Sequence, residues 1–159
     1  MNFKIREAVV TDYFEINNLV VEVHNLHVKN RPDVYVQVDI PLMREEFDRI
    51  LSDKDTKVFV VEDVTTRELT AYSIVKITAP RSIVIFNSSK FAYIDDFCVK
   101  STYQKKGIGR MLFDYIVNYA KSEGATSIQL VVWEFNNDAI KFYETLGMST
   151  RNRRMEIDI

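Results

Sequence analysis

The chain has 159 residues, 47% of them apolar and 28% charged, with a formal net charge of −2. That composition excludes a disordered or membrane-dominated chain, and the near-neutral balance gives no global attraction to nucleic acid or anionic lipid. A single cysteine and two histidines exclude an internal disulfide and leave no metal-ligand cluster. One domain spanning residues 1–159 is expected, in a reducing, cytoplasmic setting, with no metal, membrane or nucleic-acid partner.

Met1 to Val10 alternates Phe3, Ile5 and Ala8 with Lys4, Arg6 and Glu7, which predicts a strand rather than the charged-then-apolar layout of a secretion signal. "TDYFEINNLVVEVHNLHVK" opens on Thr11 or Asp12 as a cap and sets Phe14, Ile16, Leu19, Val20, Val23 and Leu26 at mostly helical spacing. "NRPDVYVQVDIP", with two prolines and no period, predicts a loop. "LMREEFDRILSD" predicts a short helix with Leu42, Phe47, Ile50 and Leu51 inward. "KVFVVEDVTTRELTAYSIVKITA" predicts two strands about a polar turn at Thr65 to Arg67, and "KFAYIDDFCVK" a third in succession.

The stripe Ile108, Met111, Leu112, Tyr115, Ile116, Tyr119 and Ala120 predicts an amphipathic helix that Gly124 ends. "SIQLVVW" then predicts a buried strand, "NNDAIKFYETLG" a short helix with an Asn cap and a closing Gly147, and "RRMEIDI" a final strand. This order of elements predicts an α+β domain whose mixed sheet carries helices on both faces, with parallel pairing where a helix crosses between strands.

Two of the four glycines, Gly107 and Gly109, stand in "QKKGIGR" where the third helix should start. The first N–H groups of a helix lack internal partners and its dipole favours negative charge, so this is an anion site once Cβ atoms are out of the way. Lys105, Lys106 and Arg110 crowd the same turn, an unfavourable place for cations unless an anion is bound. A bound diphosphate would resolve the mismatch; a tight strand-to-helix turn with solvated lysines is the plainer alternative. A Walker loop is absent, and a dinucleotide fingerprint would need a glycine where Leu112 stands.

"QKKGIG" resembles the Q/R-x-x-G-x-G/A signature of the GCN5-related N-acetyltransferase (GNAT) superfamily. "YIDDFCV" is similar to the family's fourth strand, and "NNDAIKFYETLGM" to its N-x-x-A-x-x-x-Y-x-x-x-G-[FM] segment, so the likeness covers Phe91 to Met148. The resemblance implies the GNAT fold, an α/β/α sandwich with about six to seven strands whose fourth and fifth splay apart. It implies that Gln104, Lys105, Lys106, Gly107, Ile108, Gly109 and Arg110 cradle the pyrophosphate of acetyl-CoA, and that the backbone of Phe97, Cys98 and Val99 runs beside the pantetheine. Asn136 would contact the CoA arm, and Tyr143 would protonate the thioester sulfur. Asp95 is the expected general base ahead of Asp96, because the resemblance aligns it with a glutamate that serves as base in some members. The implied activity is direct transfer of an acetyl group from acetyl-CoA to a primary amine of a small molecule. A homodimer is compatible with the family, although composition does not establish it. Ala71 departs from the glycine that often begins the family's third strand.

Acyl transfer to an amine needs a neutral nucleophile, a polarised carbonyl and a protonated leaving thiolate. Asp95 and Asp96 point to opposite faces of a regular strand, so one at most meets the acceptor unless a bulge turns the chain; a water relay is the other source of a base. Cys98, with no histidine beside it in sequence, is expected to fill a packed position rather than carry the acyl group. Surface or packing roles are expected for His24, His27 and Trp133 ahead of roles in an acceptor wall, and a solvated role for "RNRR", Arg151 to Arg154. Two further readings stay open, an acetyltransferase acting on a protein N-terminus or lysine and a non-catalytic acyl-CoA sensor.

Overall fold

The β-branched and aromatic runs pair with one another in the order in which they occur along the chain. The computed structural model describes residues 2–79 and 89–159; Met1, at the head of the first predicted strand, lies outside them. Five strands form one sheet, β1 (Phe3–Glu7), β2 (Thr56–Asp63), β3 (Leu69–Thr78), β4 (Phe91–Val99) and β5 (Ser127–Leu130). β1 to β4 pair antiparallel, while β5 runs parallel to β4. A parallel neighbour demands a crossover, and α3 (Ile108–Ser122) supplies it. The other helices are α1 (Tyr13–Asn30), α2 (Arg44–Ser52) and α4 (Asn137–Thr145).

β2 and β3 are nearly continuous apolar runs because both faces are covered. On one face Ile108, Leu112, Phe113 and Ile116 of α3 meet Phe59, Val61, Val75, Ala92 and Ile94. On the other, Tyr13, Ile16 and Leu19 of α1 and Phe47 of α2 meet Val58, Val60, Tyr72, Ile74 and Cys98. The predicted mixed sheet between two helical layers is therefore present. Among the described residues no helix is long and apolar enough to cross a membrane.

Four details differ from expectation. The sheet has five strands among the described residues rather than six or seven. "RRMEIDI" forms none of them: Met155, Ile157 and Ile159 stand exposed, since an alternating pattern makes a strand only when it pairs and this one pairs with none of the described strands. The strand predicted over Ser127 to Trp133 stops at Leu130, and Val131 turns out to 82% exposure. Phe14 is 72% exposed because Tyr13 takes the inward place and donates its hydroxyl to the Leu42 carbonyl at 2.9 Å.

Candidate active site

The sheet loses its regularity in the middle of β4. Ile74 pairs with Asp96 and Val75 with Ile94, which leaves Asp95 as an extra residue with no partner on β3. One extra residue reverses a strand's alternation. Ala92 and Ile94 accordingly face α3, whereas Cys98 faces α1 in the company of Tyr72. Alternation from Ile94 sends Asp95 to the α1 face, and a hydrogen bond from the Tyr72 hydroxyl to Asp96 Oδ2 holds Asp96 there as well. The bulge that would let both carboxylates share a face is thus present. The Phe97 N–H donates to Asp96 Oδ1 at 2.9 Å, and Ser73 Oγ donates to the Asp96 carbonyl at 2.8 Å. Loss of solvent raises the Asp96 carboxyl, with Asp95 adding to the rise and Tyr72 and Phe97 opposing it. Asp95 is exposed; desolvation raises its carboxyl and Lys76 opposes the rise.

β5 accompanies β4 from Phe91 to Ile94 and no further. Past the bulge, the outer edge of Phe97–Val99 has no strand beside it among the described residues, which leaves a slot where β5 has ended, with the Val99 carbonyl taken by Gln104. α4 walls the slot, with the Phe142 and Tyr143 rings 5.9 and 6.2 Å from that of Phe97. Burial, then Asp96 and Cys98, push the Tyr143 phenol far above its ordinary value, so it stays protonated at neutral pH. Cys98 is buried with Sγ 3.7 Å from the Leu19 carbonyl. Burial, then Asp96 and Glu22, push its thiol up as well, which suits packing and not nucleophilic attack.

At the end of the slot the chain enters α3 through two left-handed residues, Lys105 at φ 59° and Gly107 at φ 83°. The first helical bond runs from the Met111 N–H to the Gly107 carbonyl at 3.0 Å, leaving the amides of Ile108, Gly109 and Arg110 as the free donors of the first turn. Lys106 folds back to the Thr102 carbonyl at 2.9 Å and over the Tyr103 ring, and Arg110 reaches the Thr145 carbonyl at 3.1 Å. Gln104 Nε2 donates to the Val99 carbonyl at 3.2 Å. The segment before the cradle is clasped from elsewhere in the chain. Glu68 pairs with Lys100 and accepts the Tyr103 hydroxyl at 2.9 Å, while Glu22 accepts the Ser101 N–H at 2.9 Å. A shallow groove lined by Gly107, Arg110, Met111 and Asp114 leads away along α3.

Glu22, Glu68, Tyr72 and Ser73 escape a reading of the sequence because only strand pairing and helix packing bring them to the motif. Asn136 caps α4, its Oδ1 accepting the Ala139 N–H at 3.2 Å, so its NH2 group is what remains for a ligand. His27 stacks on Tyr35 at 4.9 Å, and Trp133 Nε1 donates to the Tyr35 hydroxyl at 3.0 Å, tying the segment after α1 to the segment after β5. The His24 ring shares a 2.9 Å hydrogen bond with the Val36 carbonyl. Arg151, Arg153 and Arg154 are exposed and lie outside any helix or strand.

Known proteins reach the same residues from another direction. The sequence model of the Acetyltransferase (GNAT) family matches residues 20–148. L-ornithine N5-acetyltransferase NATA1 from Arabidopsis thaliana is 33% identical over 55 residues, 35% of this chain and 24% of that protein. Glucosamine 6-phosphate N-acetyltransferase from the same plant is 27% identical over 116 residues, 70% of this chain and 74% of that protein. The chain thus spans about a quarter of the first relative and three quarters of the second. The crystal structure of a mutant of the BH1408 protein from Bacillus halodurans is 33% identical, with a TM-score of 0.95 over 98% of this chain and 99% of that one. The family match takes in the bulge, the slot, the cradle and the α4 wall together, and the chain belongs to the acetyltransferase (GNAT) family.

Proposed function

We propose that this protein transfers an acetyl group from acetyl-CoA to a primary amine of a small molecule, by direct attack and without an acyl-enzyme. The observation that carries the reading is the unpaired outer edge of Phe97–Val99, which opens between the left-handed entry to α3 and the protonated phenol of Tyr143. The amides of Ile108, Gly109 and Arg110 would receive the pyrophosphate, with Lys105 beside them. The free edge of β4 would pair with the amide groups of the pantetheine, and one of its N–H groups would polarise the thioester carbonyl. Two relatives carry names of small amine-bearing acceptors, ornithine and glucosamine 6-phosphate, and they support a small acceptor here.

The protons balance as follows. A carboxylate at the bulge takes one proton from the acceptor ammonium, and the freed nitrogen attacks the thioester carbon. The C–N bond forms, the C–S bond breaks, and the departing sulfur takes the Tyr143 proton. The second proton on nitrogen returns to the Tyr143 phenolate, and the carboxylic acid gives its proton to water, so one proton is released per turnover. Holding the amine beside the carbonyl supplies much of the rate, because the CoA thiolate is already a fair leaving group.

Release of CoA thiol, followed with acetyl-CoA and a panel of amino acids, polyamines, amino sugars and peptides, tests this reading. Small amines should support turnover. Tyr143→Phe should lower kcat by about a hundred-fold while acetyl-CoA affinity changes by no more than a few-fold. Turnover with peptides alone would reassign the acceptor, and no turnover with any amine would contradict the proposal.

A further inference from the structure

Tyr72 is fully buried on β3 among Tyr13, Ile16, Leu19 and Cys98, a setting that a phenylalanine would fill equally well. Its hydroxyl nevertheless has a defined task, donating to Asp96 Oδ2. The next residue, Ser73, is equally buried and donates to the Asp96 carbonyl at 2.8 Å. β3 therefore grips Asp96 twice, at its backbone and at its carboxylate, at the one place where β4 is bulged. An ionised carboxylate has about four acceptor positions. Tyr72 occupies one on Oδ2 and the Phe97 N–H one on Oδ1, so among the described residues each oxygen keeps an open position. The groups around Asp96 are Tyr72 on β3, Asp95 and Cys98 on β4 and Tyr143 on α4, with Glu22 of α1 acting on Cys98. Among the described residues no cation pairs with Asp96. Asp95 differs, being exposed and under the influence of Lys76.

A half-buried carboxylate with open lone pairs and no counter-cation, next to the phenol that serves the leaving sulfur, is a receptor for an ammonium group. We propose that Tyr72 is a positioning residue which, with Ser73, aims Asp96 at the acceptor, and that Asp96 rather than Asp95 takes the first proton from the acceptor ammonium. The proposal rests on the acyl-transfer reading above. It makes the distinction between the two neighbouring aspartates a consequence of the bulge and of one buried hydroxyl.

Tyr72→Phe keeps the ring and removes the hydroxyl. Two readouts follow, the pH profile of kcat/KM for thiol release and a carbon-13 NMR titration of the aspartate carboxyls in the free protein. Removing a donor from an ionised carboxylate raises its pKa. The acid limb of kcat/KM should therefore move up by about one pH unit, and the Asp96 carboxyl titration should move with it, with acetyl-CoA affinity unchanged within two-fold. The acid limb should vanish in Asp96→Asn and persist in Asp95→Asn. An acid limb that does not move in Tyr72→Phe, or an Asp96 titration that stays in place, overturns the proposal. Loss of the limb in Asp95→Asn instead overturns it too, even should Tyr72→Phe fail to fold. If no amine of the panel supports thiol release by the wild type, the acyl-transfer reading and the base assignment fall together; an Asp96 titration that still shifts would then locate the failure in the chemistry, not in the Tyr72 contact.

Discussion

At Gly107 the backbone lies at φ 83° with open space where a Cβ would stand, whereas Gly109 has helical backbone and a Cβ there would come within 3.0 Å of Phe142 Cζ. The two glycines thus answer different demands, one conformational and one of packing between α3 and α4. Gly107→Ala should lower stability by about 1 kcal/mol through left-handed strain alone. Gly109→Ala should push the Phe142 ring, and with it the neighbouring Tyr143, away from β4, lowering kcat several-fold as well as stability by about 1 kcal/mol. Urea denaturation and thiol release separate the two; equal loss of kcat in both variants would contradict the division. The motif glycines are legible in the sequence because local spacing marks them. The reason for Gly109 is not, because its neighbour Phe142 arrives from another helix.

Among the elements, β1, the turn into α1 and β2 are joined by one charged network. Arg6 donates to both oxygens of Asp12, at 2.7 and 2.9 Å, and through Nε to Glu62 at 2.9 Å. Asp12 also accepts the Val9 N–H at 2.8 Å. Burial works to raise the Asp12 carboxyl, but Arg6 and Val9 outweigh it, so the group titrates below its ordinary value. A folded pKa below the unfolded one gives stability that is present above the unfolded value, near 4, and is lost as pH falls through the folded one. Asp12→Asn should lower stability by about 2 kcal/mol at pH 7, and the gap from wild type should narrow below about pH 4. Urea midpoints at pH 7 and pH 3 check this; a gap that stays constant would refute it. The sequence reading of Thr11 or Asp12 as a helix cap locates the right turn, yet the Asp12 side chain makes no cap bond to α1, because the Arg6 guanidinium claims it. The bulge at Asp95 is equally silent in sequence: nothing in "YIDDFCV" distinguishes a bulged strand from a regular one, and the difference lies in the pairing with β3.

At the scale of the whole molecule, a sheet with a helical layer on each face brings segments distant in sequence to one open slot. Phe91 to Met148 is readable from sequence because its strand, cradle and α4 patterns are local. The clasp by Glu22 and Glu68 and the grip of Tyr72 and Ser73 are products of topology. The "RRMEIDI" segment shows the converse, a local strand pattern that pairs with no strand among the described residues. We propose that the Lys105–Arg110 turn receives the diphosphate of acetyl-CoA, and the decisive experiment is titration calorimetry of the purified protein with acetyl-CoA, wild type beside Gly107→Glu. The wild type should bind one acetyl-CoA per chain, and the variant, with bulk and negative charge set at the free amides, should lose affinity by about a hundred-fold or more. No binding by the wild type, or equal binding by a folded Gly107→Glu, would contradict the account.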